Sequence, residues 1–282
     1  MELSLEYYIT AQFDILKTQF SGKKRKFSNG DILDLRLSLK KLSAVSLFLE
    51  MLLPEKVNAE NLMDSLFPIY KKMGHLRDIQ VIKSSLLNYG ESMDLYFDRI
   101  HYLIDQKEKS YEFEVFDSMN DFELKGKKKF LKKVKQIQKN LNKTELIDIA
   151  NENMQQLISG ITRKLLSNKI SEEKYHEIRR SIKAIGYINK LLAKDVEKND
   201  LMIKSKWTKP IAQELGEWHD KVIVRDFIIE IMLNESESEF LREFERKEVQ
   251  LLFDRIEVES IHHLKLFRVH FDKLIIELEE RL

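Results

Sequence analysis

The chain has 282 residues, 43% of them apolar, with 48 Lys+Arg against 47 Asp+Glu and a formal net charge of +1. It holds eight glycines and three prolines, less than half the usual shares of about 7% and 5%, which argues against the turn-rich strand and mixed folds. There is no cysteine, which excludes disulfides, thiolate catalysis and cysteine-held metals.

Helical segments are predicted in chain order at roughly 2–20, 31–53, 59–89 and 92–140, then at 144–168, 171–193, 200–234 and 236–281. In the second segment Leu35, Leu39, Leu42, Leu49 and Leu53 recur at three/four spacing, the seam of a helix bundle. In the sixth, Ile178, Ile182, Ile185 and Leu192 do the same. Asp31, Asn58, Ser92, Ser171 and Asn199 are expected to cap N-termini, and Ser236 with Glu239 has capping-box spacing. Gly30 and Gly90 are placed at breaks, and Pro68 and Pro210 are expected to start or kink a helix. The 92–140 segment is too long for one ordinary helix, with Asn120 or Gly126 as the dividing point. No stretch of 18 apolar residues exists, and the N-terminus has acids where a signal peptide has bases. The expectation is a cytoplasmic protein with no membrane partner.

Two blocks recur at half the chain length. PIYKKMGHLRD from Pro68 matches PIAQELGEWHD from Pro210, with Ile69/Ile211, Gly74/Gly216 and Asp78/Asp220 also aligned at an offset of 142. LDLRLSLKKLS from Leu33 matches HEIRRSIKAIG from His176 at an offset of 143, aligning Arg36/Arg179, Ser38/Ser181 and Lys40/Lys183. Two blocks with nearly one offset favour internal duplication. The expected architecture is all-α: two four-helix bundles related by a pseudo-twofold, over residues 1–140 and 141–282.

The net charge hides a segregation. Residues 121–210 carry 22 Lys+Arg against 11 Asp+Glu, a net of +11, whereas residues 211–282 carry 10 against 18, a net of −8. Within the blocks, Arg36 and Lys40 sit four apart and so share a helix face, as do Arg179 and Lys183. Lys41, Arg180 and Lys190 widen these rows; Lys71, Lys72, His75 and Arg77 gather around Gly74, and His219 follows Gly216. Basic rows repeated in two copies would line a cleft suited to an anion with repeated charges, and Arg adds a fork that matches phosphate oxygens. Asp78 and Asp220 are read as ion-pair or helix contacts. The run Lys127, Lys128, Lys129, Lys132, Lys133 and Lys135 is read as a solvated helix face, and Lys23 to Lys26 as a loop.

The D-L-R-x-x-x-K-K-L run from Asp34, the G-x-x-R-D run from Gly74, the H-x-I-R-R run from His176 and the L-G-x-x-H-D run from Leu215 together resemble the CHAD domain (conserved histidine α-helical domain), in the family's order and over essentially the whole chain. The resemblance implies two four-helix bundles around a basic channel, and binding of inorganic polyphosphate without catalysis, metal or cofactor. It carries the binding role to Arg36, Lys40, Lys41, Arg179, Arg180 and Lys183, and more weakly to Arg77 and His219. His176 keeps the family histidine, whereas Leu33 stands at its counterpart; Ser43, Ala184 and Gly186 stand where the family often has arginine.

Three alternatives are weaker. One is a helical scaffold with a degenerate anion site, taking a protein or a polyphosphate granule as its partner. A carboxylate-bridged metal enzyme would use Glu173/His176 and Glu259/His262, but in an up-down bundle these would lie roughly 30 Å apart in height. Nucleic acid is not the expected ligand, because the basic runs lack the interleaved aromatics that stack bases.

Overall fold

The computed structural model describes residues 5–21, 29–120, 126–167, 170–192, 201–234 and 239–280. All regular structure among them is helical: α1 (Leu5–Ser21), α2 (Asn29–Leu52), α3 (Ala59–Met63), α4 (Phe67–Met93), α5 (Asp98–Asn120), α6 (Gly126–Asn140), α7 (Lys143–Leu165), α8 (Glu172–Leu192), α9 (Ser205–Leu233) and α10 (Glu243–Glu279). The two seams are where periodicity puts them. Leu35, Leu39, Leu42 and Leu49 of α2 are fully buried, as are Ile178, Ile182, Ile185 and Leu192 of α8.

Helix starts follow local chemistry in part. Asn58 caps α3 by accepting from the Asn61 amide at 2.8 Å, and Ser171 accepts from the Lys174 amide at 3.4 Å at the start of α8. Asn142 and Glu145 form a reciprocal capping box on α7 that the sequence reading does not single out. Three expectations are displaced. Gly30 and Asp31 lie inside the first turn of α2 rather than before it. The 59–89 segment divides into α3 and α4; Pro68 starts α4 as expected, whereas Pro210 sits inside α9. Gly90 and Ser92 are still helical, and α4 ends at Asp94, whose φ of 53° is left-handed. As expected, the 92–140 segment divides between Asn120 and Gly126, into α5 and α6. Asn199, Ser236 and Lys23 to Lys26 lie outside the described residues.

Helices at matching places in the sequence repeat meet across the middle of the molecule: α2 contacts α8, and α4 contacts α9. Away from that line, α4 packs on α5 and α9 packs on α10, while α1 packs on α2 and α7 on α8. α6 packs against α1, α2 and α3, burying Phe130, Val134 and Ile137. Its lysines face outward, Lys127 pairing with Asp14 at 2.9 Å. Among the described residues no helix is long and apolar enough to cross a membrane.

Candidate functional site

The bases that follow the seam positions flank the apolar stripe, so burying the two seams turns Arg36 and Lys40 of α2 towards Arg179 and Lys183 of α8. All four are half-buried. Two cavities open on this cluster and share Arg36, Lys40 and Arg179. The larger, about 290 Å³, adds Arg180 and Lys183 and then an apolar wall that includes Leu47, Phe48, Met51, Tyr70 and Tyr187. Its lining holds five cations and, among the described residues, no carboxylate. The smaller, about 170 Å³, adds Arg77 and His219 together with Asp78 and Asp220.

The cations are poorly compensated. Arg36 Nη2 lies 3.9 Å from Asp78 Oδ1, and Nη1 donates to the Met73 carbonyl at 3.2 Å. Gly74 permits that reach, since a β-carbon there would stand 3.3 Å from Nη1. Lys40, Arg179, Arg180 and Lys183 have no acidic partner within ion-pair distance among the described residues. The Nε atoms of Arg36 and Arg179 are buried with no hydrogen-bond partner among them either. A buried donor left unpaired costs about 1–3 kcal/mol, so these groups have free valence for an incoming acceptor.

Titration follows the same physics. Burial, reinforced by Arg36 and Arg179, pushes Lys40 down to about 8. Burial, with Arg179 and Lys40 beside it, pushes Lys183 down to about 7. Burial also lowers Arg179, which stays charged near neutrality, and raises Asp78 against the opposing pull of Arg36. The charged forms of Lys40, Arg179 and Lys183 are disfavoured by desolvation and by neighbouring cations, the state that a bound anion reverses.

The remaining expected residues are placed differently. His219 lines the smaller cavity, but burial and the nearby Arg179 and His176 hold it down to about 3, so it is a neutral wall there. His176 packs its ring 4.8 Å from Trp218 and 5.2 Å from His219, and lines neither cavity. Lys41, Lys71, Lys72 and His75 also line neither; His75 lies 5.6 Å from the Tyr111 ring on α5. Lys190 stands outside the larger cavity with its ammonium 5.9 Å from the Tyr187 ring that walls it. Of the alternative metal motif, Glu259 is engaged by Tyr89, Lys221 and Arg255. Among the described residues no three His, Asp or Glu side chains are gathered as metal ligands.

The apolar wall was missed by a reading focused on charge. Continuing from Arg36 and Lys40 in steps of three and four reaches Ser43, Leu47 and Met51 on the same face of α2. The same steps from Lys183 reach Tyr187 on α8. The periodicity that found the bases thus contained the wall.

These features define an all-helical protein with a cation-lined cleft between two central helices. The model of the CHAD domain family matches residues 8–228, and the chain belongs to that family. In fold it is similar to the crystal structure of the CHAD domain from the plant Ricinus communis, at a TM-score of 0.67 and 11% identity, with 95% of this chain and 90% of that chain covered. It is also similar to PptA from Streptomyces chartreusis, at a TM-score of 0.66 and 11% identity, with 96% and 97% covered. No curated protein matches the chain in sequence.

Proposed function

We propose that the protein binds inorganic polyphosphate, without turning it over, in a basic channel between two helical repeats related by duplication. Family membership supports this reading, and one observation carries it: Lys40, Arg179, Arg180 and Lys183 share one cavity with, among the described residues, no carboxylate in its lining. Phosphate oxygens would supply the acceptors that the buried guanidinium Nε atoms lack. A chain of linked phosphates would also restore charge to the two depressed lysines. Guanidinium groups donate hydrogen bonds to phosphate but neither attack nor deprotonate, and retention rather than hydrolysis is the outcome this reading expects.

The test is titration with long-chain polyphosphate, and with single-stranded RNA as a generic polyanion, at two salt concentrations. Polyphosphate should bind more tightly than RNA, and four phosphate contacts should lose roughly a hundredfold in affinity between 50 and 200 mM salt. The double variant Arg36→Glu, Arg179→Glu should abolish binding while its helical circular dichroism stays intact. Full affinity in that variant would place the ligand on another face. Absence of binding by the unaltered protein at low salt would leave the helical scaffold as the better reading.

A further inference from the structure

The larger cavity is basic at one end only. Beyond Lys183 and Arg179 its walls are Phe48, Met51, Tyr70, Ala184 and Tyr187. Such a surface gives a phosphate chain no partner and costs it hydration. Leu47 and Ser43 line both this cavity and a second one of about 400 Å³, which leads from α2 to Met63 at the end of α3 and Phe67 at the start of α4. Leu47 and Phe67 are 48% and 57% exposed, so apolar surface stays open to solvent along the groove. Carboxylates bracket the cation cluster: Asp78 and Asp220 on one side, and Glu60 and Asp64 in the far cavity. The zone free of carboxylates is therefore short, and apolar surface leads away from it.

We propose that this groove binds a phosphate ester of an alkyl chain, its phosphate held by Arg36, Lys40, Arg179 and Lys183 and its chain laid over Leu47 and Met51 towards Phe67. The inference rests on reading the cluster as a phosphate site. Charge complementarity fixes the head, and the elongated two-part apolar groove fits a flexible chain better than a rigid ring. The methionines Met51 and Met63 suit that role because an unbranched thioether side chain adapts to a flexible partner. Ala184 and Ser43 keep the groove open where a long basic side chain would fill it.

The experiment is calorimetric titration with hexyl, octyl and decyl phosphate below their micelle-forming concentrations, alongside inorganic tripolyphosphate and ATP. Affinity should rise with chain length, by up to about fourfold per methylene from the usual free energy of burying one. Leu47→Gln, at an exposed helical position, should weaken decyl phosphate about tenfold and leave tripolyphosphate unchanged. Ala184→Arg should also weaken decyl phosphate, by filling the groove, but should strengthen tripolyphosphate by adding a cation. Affinity that does not depend on chain length, or that Leu47→Gln leaves untouched, overturns the inference while tripolyphosphate binding preserves the phosphate site. Loss of both ligands overturns the site and the inference together. ATP binding more tightly than decyl phosphate would assign the apolar wall to a nucleoside instead, and would equally overturn it.

Discussion

The contact of α4 with α9 and the contact of α2 with α8 treat charge in opposite ways. Where α4 and α9 meet, with α10 alongside, Tyr89 donates to Glu259 at 2.5 Å, Lys221 reaches both Tyr89 and Glu259 at 2.7 and 2.8 Å, and Arg255 closes on Glu259 at 2.6 Å. Each charge there has an opposite or a hydrogen bond. Where α2 and α8 meet, Lys40, Arg179 and Lys183 have neither an acid nor full hydrogen bonding among the described residues. The first contact is satisfied within the fold, whereas the second leaves cations without counter-charge among the described residues. Lysines and arginines at the two contacts differ according to whether a carboxylate stands opposite.

The largest effect on stability is expected from the satisfied contact. Glu259→Ala strands Lys221 and Tyr89 in a half-buried place and should cost about 2 kcal/mol, in the range for hydrogen bonds to charged groups, read as a lowered urea midpoint. Polyphosphate affinity should be unchanged. Acid should have the same effect on the unaltered protein. Burial opposes the charge of Glu259, but Lys221, Tyr89 and Arg255 outweigh it and bring the carboxyl down to about 2. Its contribution is full above the ordinary carboxylate range and is lost as pH falls through 2. If Glu259→Ala instead weakened the ligand and spared stability, the division of labour between the two contacts would be wrong.

The unsatisfied contact predicts the opposite pH response. Lys40 and Lys183 sit near 8 and 7 when folded and return to the ordinary lysine range when unfolded. Between those limits the unfolded chain binds more protons, so stability rises with pH from about 7 to about 10.5. Binding of polyphosphate runs the other way, because the anion favours the protonated lysines. At pH 8 binding should take up protons, seen as a calorimetric enthalpy that depends on the buffer's ionisation heat. Affinity should fall several-fold from pH 7 to pH 9. Lys183→Met should flatten both profiles; profiles left unaltered would show that this lysine does not sense the ligand.

Local rules made the seams legible, because burial on one face of a helix imposes three/four spacing on the residues themselves. The end of α4 was not legible. Its carbonyl at Gly90 accepts from the Asp94 and Leu95 amides, and the start of α5 is held by carboxylates from α10: Glu248 accepts from the Tyr96 amide and Glu245 from the Arg99 amide, each at 3.2 Å. Those caps lie about 150 residues away in sequence, so no local pattern around Ser92 could reveal them. In the site, the sequence repeat pairs Arg36 with Arg179, and both line the cleft, but it carries no information about the unlike surroundings of the two guanidiniums.

That difference gives the smallest and most discriminating test. Gly74 and Gly216 are matched in sequence, yet a β-carbon at Gly74 would press on Arg36 Nη1 at 3.3 Å, whereas one at Gly216 would meet nothing within 4 Å. Alanine in a helix interior is worth about 1 kcal/mol over glycine. Gly216→Ala should therefore gain most of that amount, as a raised thermal midpoint with polyphosphate affinity unchanged. Gly74→Ala receives the same helical gain but moves the Arg36 guanidinium off the Met73 carbonyl, a bond worth about 1 kcal/mol. Its net stability change should be near zero, and its ligand affinity should shift because the displaced guanidinium belongs to the cleft. Equal responses at the two glycines would mean that Arg36 is as free as Arg179, and that the cleft is more symmetric than its contacts make it.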